Sequence, residues 1–595
     1  MQNKFWKPEE KLPGVNLERG NVDQLVTITQ NKKLPITDKS SGKTTQVPVF
    51  LHEASWTAGN KSIACTQPNR LATISIANKV ASDRNCTIGT EVGYKVRFDH
   101  TNNLKSSSTK ILFLTDGELF RELLEDPFLN KFSVIILDEL HERSIFQDLN
   151  LTLIKKVLGK RDDLRVVISS ATLDAIKFQK FFNEDKLIKV ANEKKVAEIL
   201  SVEGRHFPVY IQYLMEPCLN YIETLIETVK NIHKFENVGD ILVFLSEKDE
   251  VEDVVSLLNE ISGSLYAVPL YSGLTVQEQL KTLERAPSGN RKVIVSTSVA
   301  ETSVTIDERL VGVVYVIDSG LTKLKVFDPK SGLESHITTT ISKANADQRA
   351  GRAGRTRPGK VFRLYTEDTY YKFANNIIPE IQRSNLASAV LSMKALGIEN
   401  VARFDYISPP PSKLIIHSLE LLYSLKAVDD YGRLTIPFGM NIAESPINPM
   451  ISTMLLSSEK LECGEEALSI AAMLLVQNVF LTPSGYRKEA EKEKIKYSVE
   501  EGDHITLLNV FNSFIQSKQS QRYCQQNYLN HKSLNRAYQI RQKLKIFLVN
   551  LGIKIKSCKG DTEVIRKCIL SGFFSQVAEI SNDGSYRSVR DKELV

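Results

Sequence analysis

The chain has 595 residues, 42% hydrophobic and 25% charged, with a net charge of +6, which is room for roughly three to five globular domains. This composition excludes a disordered or fibrous chain, and it excludes nucleic-acid binding through an overall basic field, so any such role needs locally clustered cations. Seven scattered cysteines, with no CxxC and no histidine pair nearby, argue against a disulfide framework or a metal cluster and for a reducing compartment.

The first residues, Met-Gln-Asn-Lys-Phe-Trp-Lys-Pro, have no apolar core of the signal-peptide kind. Residues 1–36 are polar and irregular, apart from a short strand expected at Val26 to Thr29. The stretch from Thr37 to Thr44 ends in Gly42-Lys43-Thr44, the close of a phosphate-binding loop. There a small residue lets backbone N–H groups close on an anion, lysine meets the outer phosphates and the Thr hydroxyl reaches Mg²⁺. Thr37 and Ser40 stand where such a loop usually carries glycine, and no apolar strand runs directly into it. Thr44 to Glu53 reads as a helix.

From residue 61 strands and helices alternate. Ser62 to Thr66, Ile111 to Leu114, Ser133 to Leu137 and Leu164 to Ile168 read as strands, and Arg70 to Ala81 as a helix. Continuous apolar strands with polar residues at their carboxyl ends predict a parallel sheet covered on both faces, with ligands bound at those ends. A second such block starts at Gly239, with strands at Asp240 to Leu245, Lys292 to Thr297 and Val313 to Ile317. Beyond about residue 370 the pattern is helical, with an amphipathic example at Leu414 to Leu425. The apolar run from Ala467 to Leu481 is interrupted by Gln477 and Asn478, so it predicts a buried helix rather than a membrane span.

Three groups of residues carry chemistry. Asp138-Glu139 after an apolar strand complements Lys43-Thr44: one carboxylate can hold hydrated Mg²⁺ and the other can orient or deprotonate an attacking water. The bland alternative is an acidic helix start. Arg349, Arg352 and Arg355, spaced by three, would share one helix face, and two of them suit a γ-phosphate. A solvated basic face is the usual reading of such a run, but the interspersed glycines cost about 1 kcal/mol each inside a helix. Residues 504–560 hold ten Lys or Arg and no Asp or Glu, with Tyr523, Tyr528 and Tyr538 interleaved. That suits a phosphate-backbone surface with rings for base stacking, against the alternative of a basic face that touches nothing.

GKTTQ (42–46), TQPNR (66–70), TDG (115–117), DELHER (138–143), SAT (170–172), FLS (244–246), ETSVTID (301–307) and QRAGRAGR (348–355) occur in order. From about residue 40 to its end the chain resembles the DEAH-box ATP-dependent RNA helicases. The resemblance implies an α/β fold: two tandem RecA-like doubly wound parallel-sheet lobes, then winged-helix, helical ratchet and partial OB-fold domains. The boundaries expected are 1–36 irregular, 37–195 lobe one, 196–370 lobe two, 371–438 winged helix, 439–560 ratchet and 561–595 OB-fold. It implies ATP and Mg²⁺ as cofactors. Ser41, Gly42, Lys43, Thr44 and Thr45 would bind nucleotide, and Thr44, Asp138 and Glu139 the metal. Thr305 and Asp307 would line the nucleotide cleft from lobe two. Asp138, Glu139, Gln348, Arg352 and Arg355 would be catalytic, the last two as arginine fingers. His141, Ser170 and Thr172 would couple hydrolysis to RNA movement, and Arg70, Thr115 and Asp116 would meet RNA phosphates. Single-stranded RNA or ribonucleoprotein is the implied partner, with spliceosome components or a G-patch-type activator as further candidates. The implied setting is the nucleus, with no membrane.

The sequence departs from the family pattern in places. Leu140 replaces the Ala of the DEAH tetrad. Asn69-Arg70 replaces a tandem arginine, which removes one expected RNA contact. Lys79 and Leu321 stand where an Arg and a Phe usually sandwich adenine. The missing loop glycines, and an end at Val595 that falls partway through the expected OB-fold, read as an incomplete gene model or as divergence. An RNA-binding spliceosomal scaffold without turnover is the competing reading.

Overall fold

The structure is a computed structural model that describes residues 5–6, 22–28, 43–100, 109–170, 175–183, 197–203, 207–261, 263–271, 273–274, 278–279, 282, 284–302, 312–355, 357–476, 479–482, 486–582 and 584–589. It divides into two compact units. One holds two α/β lobes and comprises Met1–Val326, Glu334–Ser384 and Asp405–Pro410. The other comprises Phe327–Leu333, Asn385–Phe404 and Pro411–Val595.

Strand β1 (Phe5–Trp6) belongs to the sheet of lobe two. The sheet of lobe one holds β2 (Val22–Ile28), β3 (Ser62–Gln67), β4 (Val92–Val96), β5 (Asp99–His100), β6 (Ile111–Thr115), β7 (Phe132–Leu137), β8 (Arg165–Ser170) and β9 (Glu198–Glu203). Their order is β5-β4-β6-β3-β7-β8-β2-β9. The pairs β4–β6, β6–β3, β3–β7 and β7–β8 are parallel. Every residue of β7 is buried, as expected of a central parallel strand covered on both faces, and each large aliphatic there contributes about 1.5–3 kcal/mol.

The strand expected before the phosphate loop is longer than read, Val22–Ile28, and runs antiparallel to both β8 and β9. It therefore does not point into the Lys43–Glu53 helix as a loop-feeding parallel strand would. Because β9 pairs with β2, this sheet runs through Glu203, past the boundary expected at 195.

Lobe two contains β10 (Val209–Leu214), β11 (Asp240–Phe244), β12 (Leu265–Leu270), β13 (Arg291–Ser296), β14 (Val313–Asp318) and β17 (Gly359–Arg363), in the order β1-β10-β17-β14-β11-β13-β12. All neighbours pair in parallel except the β1 edge. A two-stranded ribbon of β15 (Leu321–Asp328) and β16 (Leu333–Thr340) follows β14. The two parallel α/β lobes are those the sequence predicts.

The other unit is mostly helical among the described residues. The helix Gly464–Leu474, which overlaps the first half of the apolar run read as buried, is almost wholly enclosed and packs on His531–Asn550 and Asp503–Gln516. No helix among the described residues is long and apolar enough to cross a membrane. Thr562–Phe573 packs on Pro449–Ser457, where a Cβ at Gly572 would run into the Met450 carbonyl. The OB-fold boundary drawn at 561 thus falls at a helix of the helical unit. Beyond it comes a short antiparallel ladder, β18 (Ala578–Ile580) with β19 (Tyr586–Ser588).

Candidate nucleotide and RNA site

Parallel pairing brings the carboxyl ends of β3, β6, β7 and β8 to one edge of lobe one, and the register sets Gln67 beside Thr115 and Thr66 beside Leu137. Asp138 follows β7 at that edge and is 2% exposed. Its Oδ2 accepts from the Thr44 hydroxyl at 2.5 Å and from Gln67 Nε2 at 2.7 Å. Lys43 opens the Lys43–Glu53 helix, with Thr44 and the buried Thr45 in its first turn. Thr44 and Asp138, 94 residues apart, thus form one centre. Gln67, in the middle of TQPNR, is a member that the sequence reading left without a role.

Glu139 is left-handed, with φ 50° and ψ 37°. Few non-glycine residues adopt that conformation, and where the surroundings impose it the site is commonly functional. Here its amide donates to Asp138 Oδ1 at 3.0 Å and its carbonyl accepts from Gln147 Nε2 at 3.3 Å. Gln147 also closes a capping box with Ser144 on the helix Ile145–Leu158. His141 Nδ1 lies 3.4 Å from Glu139 Oε2. Leu140 is fully buried, so the larger side chain at the tetrad's third position is absorbed by the core. Arg143, also left-handed, forks onto Asp148 at 2.7 and 2.9 Å, and its carbonyl accepts from the Glu380 amide at 3.0 Å. The whole 138–148 segment is held at both ends.

Thr115 and Asp116 do not lie on a loop. Strand β6 passes directly into the helix Asp116–Glu125 with Thr115 as N-cap, and Asp116 is 4% exposed. Burial raises its pKa to about 8; the Glu142 and Asp138 carboxylates add to the rise, while Thr66 and Gln147 offset part of it. Asp116 is thus a buried acid at the start of a helix, among other acids. Arg70 begins the helix Arg70–Asp83, and Asn69 caps it by accepting from the Ala72 amide at 2.8 Å. The residue that replaces a family arginine therefore has a structural use. Ser170, buried, ends β8. Ser41, Gly42, Thr172, Thr305 and Asp307 lie outside the described residues.

In lobe two, the helix Lys343–Gly351 carries Gln348 and Arg349 but ends before the other two arginines. Arg352 is its C-cap residue, still in helical backbone conformation, and Arg355 lies in the turn beyond, so Arg355 does not continue the helix face of the other two. Arg349 is fully buried: Nε donates to Glu301 at 2.6 Å and one NH group to Asp318 at 2.7 Å. Burial alone would lower its pKa, but the two carboxylates outweigh that and raise it. Its guanidinium also sits 4.9 Å from the Phe244 ring centroid. Gln348 and Arg352 are 9% and 7% exposed. Gly354 has a packing reason, since a Cβ there would lie 2.5 Å from Val209 Cγ2 and 2.6 Å from the Phe207 carbonyl. Leu321 opens β15, and its carbonyl accepts from Arg349 at 3.1 Å. Lys79 lies in the Arg70–Asp83 helix of lobe one.

The basic stretch of the helical unit is partly used internally. Arg541 and Lys545 pair with Glu465, and Lys556 with Glu462 at 2.5 Å. The Tyr523 hydroxyl bonds Tyr497 at 2.8 Å, which ties that ring into the fold. Lys518, Arg522, Lys532, Arg536, Lys543, Lys554 and Lys559 are exposed.

The oxygen set at lobe one, the Thr44 hydroxyl with the Asp138 and Glu139 carboxylates, has the hardness that suits Mg²⁺ rather than a thiolate- or imidazole-seeking metal. All seven cysteines are free.

The family described as "Helicase conserved C-terminal domain" matches residues 221–357, and "Helicase associated domain (HA2), ratchet-like" matches 448–507. The "Probable ATP-dependent RNA helicase DHX35" of Homo sapiens is 43% identical over 632 residues, covering 99% of this chain and 89% of that protein. Its namesake in Pongo abelii is 44% identical, with 99% and 87% covered. A "Probable ATP-dependent RNA helicase DHX35 homolog" of Caenorhabditis elegans is 45% identical over 559 residues, covering 92% of this chain and 75% of the relative.

Proposed function

The chain belongs to the DEAH-box family of ATP-dependent RNA helicases, and from that premise we propose that it hydrolyses ATP under RNA stimulation and thereby translocates on single-stranded RNA, remodelling duplexes or ribonucleoproteins. The observation that carries this is the buried Asp138, fixed by Thr44 and Gln67 beside a left-handed Glu139. Lys43 and Thr44 bind the phosphates, and Asp138 with Thr44 and Glu139 would hold Mg²⁺. Bound there, Mg²⁺ would supply charge neutralisation to the nucleotide. Glu139 takes the proton of the attacking water. Gln348 orients that water, and Arg352 and Arg355 stabilise charge on the transferred group. Thr305 and Asp307 complete the nucleotide cleft, and Ser41, Gly42 and Thr45 its phosphate side. His141, Ser170 and Thr172 pass the state of the site to RNA held by Arg70 and Thr115. Nuclear ribonucleoproteins of pre-mRNA splicing are the substrates that the family likeness favours, with a spliceosome component or G-patch-type protein as activator.

Phosphate release measured with ATP, Mg²⁺ and oligouridine tests the proposal. The wild-type protein should be stimulated by RNA, and Glu139→Gln should lose roughly 10²–10⁴-fold in kcat while still binding ATP. RNA binding without hydrolysis in the wild-type protein would instead make the chain a scaffold.

A further inference from the structure

The helix Lys343–Gly351 turns by about 100° per residue, which sorts its side chains into four faces. Ala346 and Ala350 form the core face and are fully buried, Ala350 against Val316 and Val361. Asn345 and Arg349 form the second face and share one carboxylate: Asn345 Nδ2 donates to Glu301 Oε2 at 2.8 Å and Arg349 Nε to Oε1 at 2.6 Å. Asp347 lies on the third face, where its Oδ1 accepts from Arg363 at 3.0 Å and from the Tyr370 hydroxyl at 3.3 Å. The fourth face presents Gln348 and, one turn on, Arg352.

Arg363 ends β17, in register with Asp318 on β14. Only 1% exposed, it also donates to the Tyr213 hydroxyl at 2.6 Å and lies 4.4 Å from the Tyr370 ring centroid. Its carboxylate partner Asp347 keeps 30% of its side chain exposed. Burying a guanidinium against one half-exposed carboxylate is a poor way to gain stability, and an apolar residue of similar volume would serve better. A buried ion pair does, however, fix direction. Asp318 belongs to both anchors, since Oδ1 holds Arg349 and Oδ2 accepts from the Tyr365 hydroxyl at 2.9 Å, in the tyrosine cluster around Arg363.

We propose that Arg363, through Asp347 and with Tyr213, is a positioning group that sets the roll of the Lys343–Gly351 helix and so aims Gln348 and Arg352 into the nucleotide site. None of the three lies in a motif of the family pattern. The inference rests on the reading of Gln348 and Arg352 as nucleotide-site groups. Side-chain tips lie about 5 Å from the helix axis, so a roll of about 20° moves them by about 2 Å, and a misplacement of about 1 Å can cost on the order of 10²-fold in rate.

The test is Asp347→Ala in the full chain, read by RNA-stimulated ATPase kinetics and by amide hydrogen exchange over residues 345–352. The expected result is a kcat about 10- to 100-fold lower, a KM for ATP within about 2-fold, and exchange faster by about 10-fold or more. Asp347→Asn, which keeps an acceptor for Arg363, should recover most of the rate. In a background that carries both Gln348→Ala and Arg352→Ala, Asp347→Ala should cost less than about 3-fold further, because it acts through those two side chains. Unchanged exchange, or the same loss with and without those two side chains, overturns the proposal. If the wild-type protein hydrolyses no ATP, the proposed function falls and the exchange comparison alone decides the positioning role. Tyr213→Phe, which removes one hydroxyl, substitutes if Asp347→Ala does not fold.

Discussion

The two sites, at the sheet edge of lobe one and around the Lys343–Gly351 helix of lobe two, handle buried charge in opposite ways. Lobe two buries Arg349 against Glu301 and Asp318, and Arg363 against Asp347 and Tyr213, so its cations are matched inside the fold. Lobe one gathers Asp116, Asp138, Glu139 and Glu142 at one sheet edge and holds Asp138 with neutral donors, a hydroxyl and an amide. An arrangement that satisfies its own charges gains rigidity from them. One that gathers acids can push up the pKa of a buried member, as at Asp116, and a perturbed acid in such a place is a candidate for chemistry. The difference teaches that lobe two satisfies its buried cations within the fold, while lobe one keeps a buried acid whose charge the fold disfavours.

Removing a buried charge should therefore have opposite signs at Arg349 of lobe two and at Asp116 of lobe one. The largest effect is expected from Arg349→Ala, which leaves Glu301 and Asp318 buried without their partner. Breaking such a pair costs about 3–5 kcal/mol. Urea denaturation of the full chain should show an early transition for lobe two, and a midpoint equal to wild type would break the comparison.

Asp116→Asn should act the other way. The folded-state pKa of Asp116, about 8, lies above its unfolded value near 4, so the fold favours the protonated form. Its contribution to stability is full below about pH 4 and is lost as pH rises toward 8. Asparagine keeps the shape without the titration. The variant should match wild type below about pH 4 and gain on it by up to about 1.4 kcal/mol per pH unit between there and pH 8, read as a difference in Tm that widens with pH. A difference that is flat or that narrows with pH would remove the strained-acid account of lobe one.

How much of this was legible in the sequence depends on how far apart the partners lie. The strands and their carboxyl-end motifs could be read because each is local: an apolar run followed within a residue or two by Gln67, Thr115, Asp138 or Ser170. The arginine triplet could not be divided. Spacing by three does not reveal that the helix stops at Gly351, nor that Arg349 is claimed by Glu301 and Asp318, 48 and 31 residues earlier. The inverted β2 was hidden for a similar reason. A strand's direction is set by the neighbours it pairs with, here β8 and β9, and its own alternation of side chains says nothing about them. Arg363 lies in no motif, and only the fold brings it to Asp347.

The smallest effect probes a position that the family pattern gives to RNA and that lobe one uses to cap a helix. Asn69 accepts from the Ala72 amide at 2.8 Å, and its carbonyl accepts from the Thr73 hydroxyl at 2.8 Å, so it closes the start of the Arg70–Asp83 helix. Asn69→Arg restores the tandem arginine and removes the cap. The lost cap should lower stability by about 1 kcal/mol, while the added cation should tighten RNA binding and steepen the dependence of log Kd on log salt by a slope of about 0.7. Thermal melting and fluorescence-anisotropy titrations at several salt concentrations separate the two. If the melting temperature falls and the salt slope stays at the wild-type value, position 69 serves the helix alone, and Arg70 makes its contact without a neighbour. If the slope rises with no loss of stability, the cap is dispensable, and this position belongs with the rest of lobe one as a surface kept for its ligand.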